Sequence, residues 1–202
     1  MDWLSYEKQA YGKGYSVVCG VDEAGRGPLA GPVYAAAVIL PPDAHIEGVN
    51  DSKKLSEKKR ETLFDIIRQT AVSSCIASAS VEEIDTHNIL NATYLAMQRA
   101  VAGLSPQPQM VLVDGNRLPS LPMEAQAIVK GDSLSLSIAA ASILAKVSRD
   151  RYMKELARQY PQYQLEKHKG YGTKLHRELI RQYGPSPIHR KTFLKKILGE
   201  SL

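Results

Sequence analysis

The chain predicts an α/β layered fold, and three observations carry that expectation. Strand-length apolar stretches are followed by helical ones, several of the strands are apolar enough to be buried, and two of them end on acids that lead into glycine. The first strand is Ser16–Asp22. The second, Val33–Leu40, is continuously apolar and stops at Pro41-Pro42. A helix follows over Glu57–Gln69, with Leu63, Phe64, Ile66 and Ile67 near one face and Ser56 as its N-cap. Ser74–Ser80 alternates as a strand. Asn88–Val101 reads as a helix capped by Asn88 and stopped near Gly103. Met110–Asp114 and Ala125–Val129 are short strands. A long helix begins near Ser133 and runs to Tyr160, before Pro161; its start, Ile138–Ala145, is apolar on every side and belongs in the interior. Two shorter helices, Leu175–Tyr183 and Lys191–Leu198, flank Gly184-Pro185-Ser186-Pro187.

The 202 residues suit one domain with a small helical appendage. The boundary is expected near residue 154, with 1–154 as the catalytic core and 155–202 as a basic, helical, substrate-binding C-terminal region. Charge supports that division: residues 1–142 carry 12 Lys and Arg against 16 Asp and Glu, while 143–202 carry 14 against 5. An acidic body with a basic end suggests metal chemistry in one part and a grip on a polyanion in the other; a solvated basic surface is the plainer alternative. No apolar run is long enough to span a membrane. The N-terminus lacks the pattern of a secretory leader, and Cys19 and Cys75 read as free thiols, so a cytoplasmic protein is expected. No oligomer-forming seam stands out, which leaves a monomer as the expectation.

Asp22-Glu23 ends an apolar strand before Gly25, Asp114 ends another before Gly115, and Asp132 follows a strand and Gly131. Carboxylates at strand C-termini of an α/β sheet tend to converge on one crevice. There they repel one another unless a multivalent cation is present. Oxygen-only donors select Mg²⁺ or Mn²⁺, and two such ions roughly 4 Å apart serve phosphodiester hydrolysis. Each acid also has a plain structural explanation. Asp132 could open the following helix, Asp114-Gly115 could be a turn, and Asp22-Glu23 could be a strand end. Neighbours along a strand point to opposite faces, so Asp22 and Glu23 share a site only if the strand bends or ends there. No nucleophile elbow and no phosphate-binding P-loop is present.

The motifs together resemble the bacterial type 2 ribonuclease H family, ribonuclease HII. They are Asp22-Glu23-Ala24-Gly25-Arg26-Gly27-Pro28-Leu29-Ala30-Gly31-Pro32-Val33, Asp51-Ser52-Lys53-Lys54-Leu55 and Val113-Asp114-Gly115, followed by Lys130-Gly131-Asp132, Ser137 through Asp150 and His168-Lys169-Gly170-Tyr171-Gly172-Thr173. The match extends, in order, from about residue 4 to the C-terminus. The resemblance implies a ribonuclease H-like core with a mixed central sheet flanked by helices. It implies endonucleolytic cleavage of RNA in RNA–DNA hybrids and 5′ of single ribonucleotides embedded in duplex DNA, leaving a 5′-phosphate and a 3′-hydroxyl, with a role in ribonucleotide removal from DNA, in DNA repair or in primer removal. It places the catalytic metal ligands on Asp22, Glu23, Asp114 and Asp132. Gly25, Arg26 and Gly27 are implied to read the ribose 2′-OH, and Tyr171 to pack on the following deoxyribose.

Residue chemistry is compatible with these roles. The 2′-OH separates RNA from DNA at a single nucleotide, and Arg26 is a phosphate fork or a surface salt bridge. Tyr171, between two glycines, is an exposed aromatic or a turn tyrosine filling a gap. Lys53 is expected on a phosphate. Lys146 and Arg149 read as structural or phosphate-facing, and His168, His176 and His189 as surface or phosphate-contacting groups rather than zinc ligands. The basic tail is expected to hold duplex by phosphate contacts. Nothing in the sequence assigns a sliding clamp or polymerase as partner.

Overall fold

Five strands form one mixed sheet in the order β3-β2-β1-β4-β5 in the computed structural model, which describes residues 2–49, 52 and 55–198. They are β1 (Val18–Ala24), β2 (Val33–Ile39), β3 (Ser73–Ala79), β4 (Met110–Asp114) and β5 (Glu124–Ile128). β2 runs antiparallel to both β1 and β3, whereas β1, β4 and β5 are parallel. Val21 registers with Val113, so Asp22 and Asp114, each the next residue, lie side by side at the C-terminal ends of adjacent parallel strands.

The helices are α1 (Ser5–Gly12), α2 (Glu57–Thr70), α3 (Val81–Ala102), α4 (Leu136–Gln159), α5 (Leu165–His168), α6 (Lys174–Tyr183) and α7 (Lys191–Leu198). On one face of the sheet Cys19, Val21, Val111 and Val113 pack with Ala92, Ala96 and Met97 of α3. On the other, Ala36 and Val38 pack with Leu63 and Ile67 of α2 and with Ala140 and Ile143 of α4. Burial on both faces is why β1 and β2 read as continuous apolar runs. Gly20 brings α4 close: a Cβ there would overlap the Ser137 carbonyl carbon and the Ile138 nitrogen. Strand β1 and helix α4 therefore meet at backbone distance, with α4 passing over the end of β1. Cys19 and Cys75 are both free thiols, and burial pushes the Cys19 pKa up.

Several expected boundaries shift for local reasons. Helix α3 starts at Val81, not Asn88, because Ser80 and Glu83 form a reciprocal capping box. Asn88 instead sits at a kink, with φ of 65°, and its Oδ1 accepts from the Leu90 and Asn91 amides. It caps a second helical segment inside the first. Helix α4 begins at Leu136 with Ser135 as N-cap, after a 3₁₀ turn over Gly131–Ser133. Helix α1 was not expected. It is held by Glu7, which is buried and accepts from the hydroxyls of Ser135 and Ser137 at 2.6 Å each. The C-terminal helices share an apolar cluster with Leu29, Ala30 and Met153, which involves Leu165, Leu179, Ile180 and Leu194.

Candidate active site at the strand ends

Strand β1 keeps its alternation to the end. Gly20 lies against α4 and Val21 lies in the α3 cluster, so Asp22 belongs to the α4 face and Glu23 to the α3 face. The strand runs on to Ala24, so the two carboxylates stand on either side of its end. Asp22 is buried, at 4% exposure. Its Oδ1 accepts from the Glu23 amide at 2.7 Å, and the nearby Ser142 hydroxyl of α4 favours its charged form. Ser142 Oγ lies 2.9 Å from Ser52 Oγ, which links Ser52 to Asp22 through two hydroxyls. Burial first, then the charges of Glu23 and Asp114, hold the Asp22 carboxyl well above the usual carboxylate range.

Asp114 and Asp132 approach from the other strands. Asp114 Oδ1 accepts from the Asp132 amide at 3.4 Å, across the turn in which Lys130 adopts a left-handed φ of 58°. Asp132 is nearly buried, and its Oδ1 accepts from the Ser133 hydroxyl at 3.4 Å. The fold thus gathers all four expected acids, from three separate segments, at one edge of the sheet. Their donors are oxygen only, and Asp22 is destabilised by its two nearest acids, which is the condition a bound divalent cation relieves. The donor set fits a hard divalent ion. Among the described residues no three side chains already enclose one ion, so binding would draw the carboxylates together.

The loop after β1 is held from within by two buried arginines. Arg190 donates to the carbonyls of Gly25 at 2.6 Å, Arg26 at 2.9 Å and Gly31 at 2.9 Å. Arg149 donates to those of Ala30 at 3.1 Å, Pro32 at 3.2 Å and Lys169 at 3.1 Å. Gly25 has φ of +99°, and a Cβ there would overlap the Arg149 guanidinium; both constraints demand glycine. Burial pushes both arginines below their ordinary range, Arg190 to about 9. Sequence reasoning left Arg149 between two roles and missed Arg190. Among the described residues neither makes an ion pair that would have marked it, and the acceptors of both are backbone carbonyls.

Arg26 Nη1 lies 3.5 Å from Glu23 Oε1, with the Arg26 side chain half exposed. Tyr171 is 43% exposed, and a Cβ at Gly27 would sit 3.8 Å from its Cε1. The ring also lies 5.9 Å from Lys146 Nζ. Gly25, Arg26, Gly27, Glu23, Lys146 and Tyr171 line a cleft of about 200 Å³. Two sequence motifs more than a hundred residues apart therefore face each other beside an acid of the site. Lys53 falls outside the described residues, although its neighbour Ser52 is buried.

The histidine expectation is corrected. His168, His176 and His189 are buried, not surface groups. His168 and His176 stack at 4.2 Å between ring centroids, and His176 Nε2 lies 3.2 Å from His189 Nε2. His176 Nδ1 reaches the Tyr171 carbonyl at 3.0 Å. The basic segment contains a polar core that supports the Tyr171 loop, a role that net charge does not reveal.

A mixed five-stranded sheet with acids closing its central parallel strands defines a ribonuclease H-like nuclease. Comparison with known proteins narrows this. The family model described as Ribonuclease HII matches residues 19–196. A Ribonuclease HII of Caldicellulosiruptor bescii is 54% identical over 198 residues, covering 98% of this chain and 96% of its own. The ribonuclease H2 of Pyrococcus horikoshii superposes with a TM-score of 0.75 at 30% identity, over 90% of this chain and 96% of that one. The ribonuclease HII in the PCNA complex of Archaeoglobus fulgidus superposes with a TM-score of 0.72 at 26% identity, over 87% and 94%. The chain belongs to the ribonuclease HII family, endoribonucleases that hydrolyse RNA in RNA–DNA hybrids. Among the described residues no helix is long and apolar enough to cross a membrane.

Proposed function

We propose that this chain nicks duplex DNA on the 5′ side of a single embedded ribonucleotide, as well as cutting longer hybrids, and leaves a 5′-phosphate and a 3′-hydroxyl. The observation that carries the reading is the cleft shared by Gly25–Gly27 and Tyr171, with Glu23 in its wall. A 2′-OH is the one group that distinguishes a lone ribonucleotide. Backbone groups of a side-chain-free loop can approach it, and an exposed tyrosine ring can pack on the next sugar. Arg190 and Arg149 fix that loop before substrate arrives, so little ordering cost falls on binding.

Asp22, Glu23, Asp114 and Asp132 would hold Mg²⁺ or Mn²⁺. Bound there, such ions would supply charge to activate a water and to neutralise the leaving oxygen. The protein's own part is to keep Asp22 oriented through Ser142 and to keep bulk water from its buried carboxylate. The basic surface of residues 155–202 would hold duplex through phosphates in a sequence-independent way. The role in the cell is the removal of ribonucleotides from DNA by a monomer in the cytoplasm. An end-labelled duplex with one ribonucleotide tests this, incubated with and without Mg²⁺ or Mn²⁺. A metal-dependent nick 5′ of the ribonucleotide is expected. Cuts confined to long hybrids would remove the junction role of Gly25–Gly27 and Tyr171.

A further inference from the structure

A second cleft, which Tyr171 does not line, adjoins Glu23 and Asp114. It encloses about 290 Å³, and Glu23, Asp114 and Arg26 form its inner wall. Tyr94 and Met97 of α3 floor it, with Leu90 beside them, and the loop after β4 supplies Asn116 and Arg117 at its rim. The Asn88 kink starts the helical segment that carries this floor. Asn116 and Arg117 are exposed, and their side chains have no hydrogen-bond or ion-pair partner among the described residues. Glu23 and Arg26 also line the Gly27–Tyr171 cleft. Glu23 therefore borders both clefts, and Asp114 borders the second.

We infer that the Tyr94–Arg117 cleft is the subsite for the nucleotide that carries the leaving 3′ oxygen. The inference rests on the proposed nick 5′ of the ribonucleotide. If the ribonucleotide occupies the Tyr171 side, the strand must cross the acids, and the residue upstream of the cut falls on the Tyr94 side. The chemistry of the cleft suits a nucleotide. Tyr94 and Met97 offer apolar surface to a sugar or base without selecting its identity. Arg117 is an unengaged fork for that nucleotide's own 5′-phosphate. No base-edge reader is needed, so the subsite adds affinity and register rather than sequence choice.

The test uses two DNA duplexes whose cut strand begins with one deoxynucleotide followed by one ribonucleotide. They differ only in whether that first deoxynucleotide bears a 5′-phosphate. Wild-type protein is expected to cleave the phosphorylated duplex about tenfold faster at subsaturating substrate, the size of one charge-assisted contact. Arg117→Ala is expected to remove that ratio while still cleaving the unphosphorylated duplex. Binding is read separately, without turnover, in the Asp22→Asn background, where Arg117→Ala should abolish the same preference in Kd. A phosphate preference that survives Arg117→Ala, or its absence in wild type, would overturn the subsite and leave the proposed nicking intact. Failure of wild type to nick a duplex with an internal ribonucleotide would overturn both.

Discussion

Arg190 Nη2 donates to the Gly25 carbonyl at 2.6 Å, from a residue 165 positions further along the chain. The loop that follows the first two acids is thus built on the C-terminal segment. Among the described residues Arg190 has no carboxylate in ion-pair contact, and all three of its carbonyl acceptors belong to the loop 25–31. Replacing it with Met would leave the buried Gly25 and Gly31 carbonyls without this donor, at about 1–3 kcal/mol each, and release the part-buried Arg26 carbonyl. Arg190→Met should lower unfolding free energy by at least about 2 kcal/mol in urea titrations. An unchanged midpoint would mean that the loop does not depend on this clamp.

Asp22→Asn should abolish cleavage and, without metal, stabilise the protein. The sign follows from the raised pKa of Asp22, caused by burial and by Glu23 and Asp114. Its contribution to stability is complete below the unfolded value of about 3.8 and is lost as pH rises through the folded value. At neutral pH the charged form is a liability that Asn removes. Thermal scans in EDTA should place the Tm of the variant above wild type, and added Mn²⁺ should raise wild type more than the variant. Equal metal-induced shifts in both would argue against Asp22 as a ligand.

The acids, most strand positions and the Ser56 cap were readable because each depends on local pattern: an apolar run, a terminal acid, a following glycine. Asp22 and Glu23 needed the strand to bend or end there; β1 ends one residue later, at Ala24, and the two carboxylates leave from opposite faces of that end. The Ser80–Glu83 capping box was legible as Ser-x-x-Glu and marks the true start of α3. The roles of Arg149 and Arg190 were not legible, since a buried arginine bonded to carbonyls has no partner signature in sequence. The buried histidines were misread for a similar reason. Their acceptors are backbone atoms and one another, while the surrounding charge suggested a surface.

Gly20→Ala should destabilise the protein by about 1–3 kcal/mol through overpacking of β1 against α4. It should also reduce activity beyond the loss of folded protein, because α4 carries Ser142 over Asp22. Activity normalised to the folded fraction measures this. Full normalised activity would show that the α4 spacing is not coupled to Asp22.

Ser142→Ala removes the hydroxyl between Ser52 and Asp22. A hydrogen bond to a charged group contributes on the order of 1.5–3 kcal/mol. We expect kcat to fall by about tenfold or more with KM for hybrid little changed, since the contact orients an acid and touches no substrate. A change confined to KM would assign Ser142 to binding instead.

The buried histidines make the Tyr171 loop sensitive to acid. The Gly170 amide donates to His168 Nδ1, which leaves His168 Nε2 to donate to the Tyr163 carbonyl. His176 must donate from Nδ1 to the Tyr171 carbonyl, so its Nε2 accepts from His189 Nε2, and His189 Nδ1 accepts from the Ser186 amide. These tautomers are assigned from the hydrogen-bond network. Each ring is neutral in this pattern, and a second proton on His176 would set two N–H groups against each other. Burial, with repulsion from the neighbouring ring, holds His176 and His189 down at about 4. Bases depressed on folding contribute stability above their unfolded value of about 6.5, and that stability is lost as pH falls through the folded value. Unfolding free energy should therefore decline between pH 6.5 and 4. The protection factor of the Tyr171 amide, corrected for the pH dependence of intrinsic exchange, should fall over the same range. His176→Gln keeps a neutral donor and acceptor and should flatten the decline; an equally steep slope in that variant would place the acid sensitivity elsewhere.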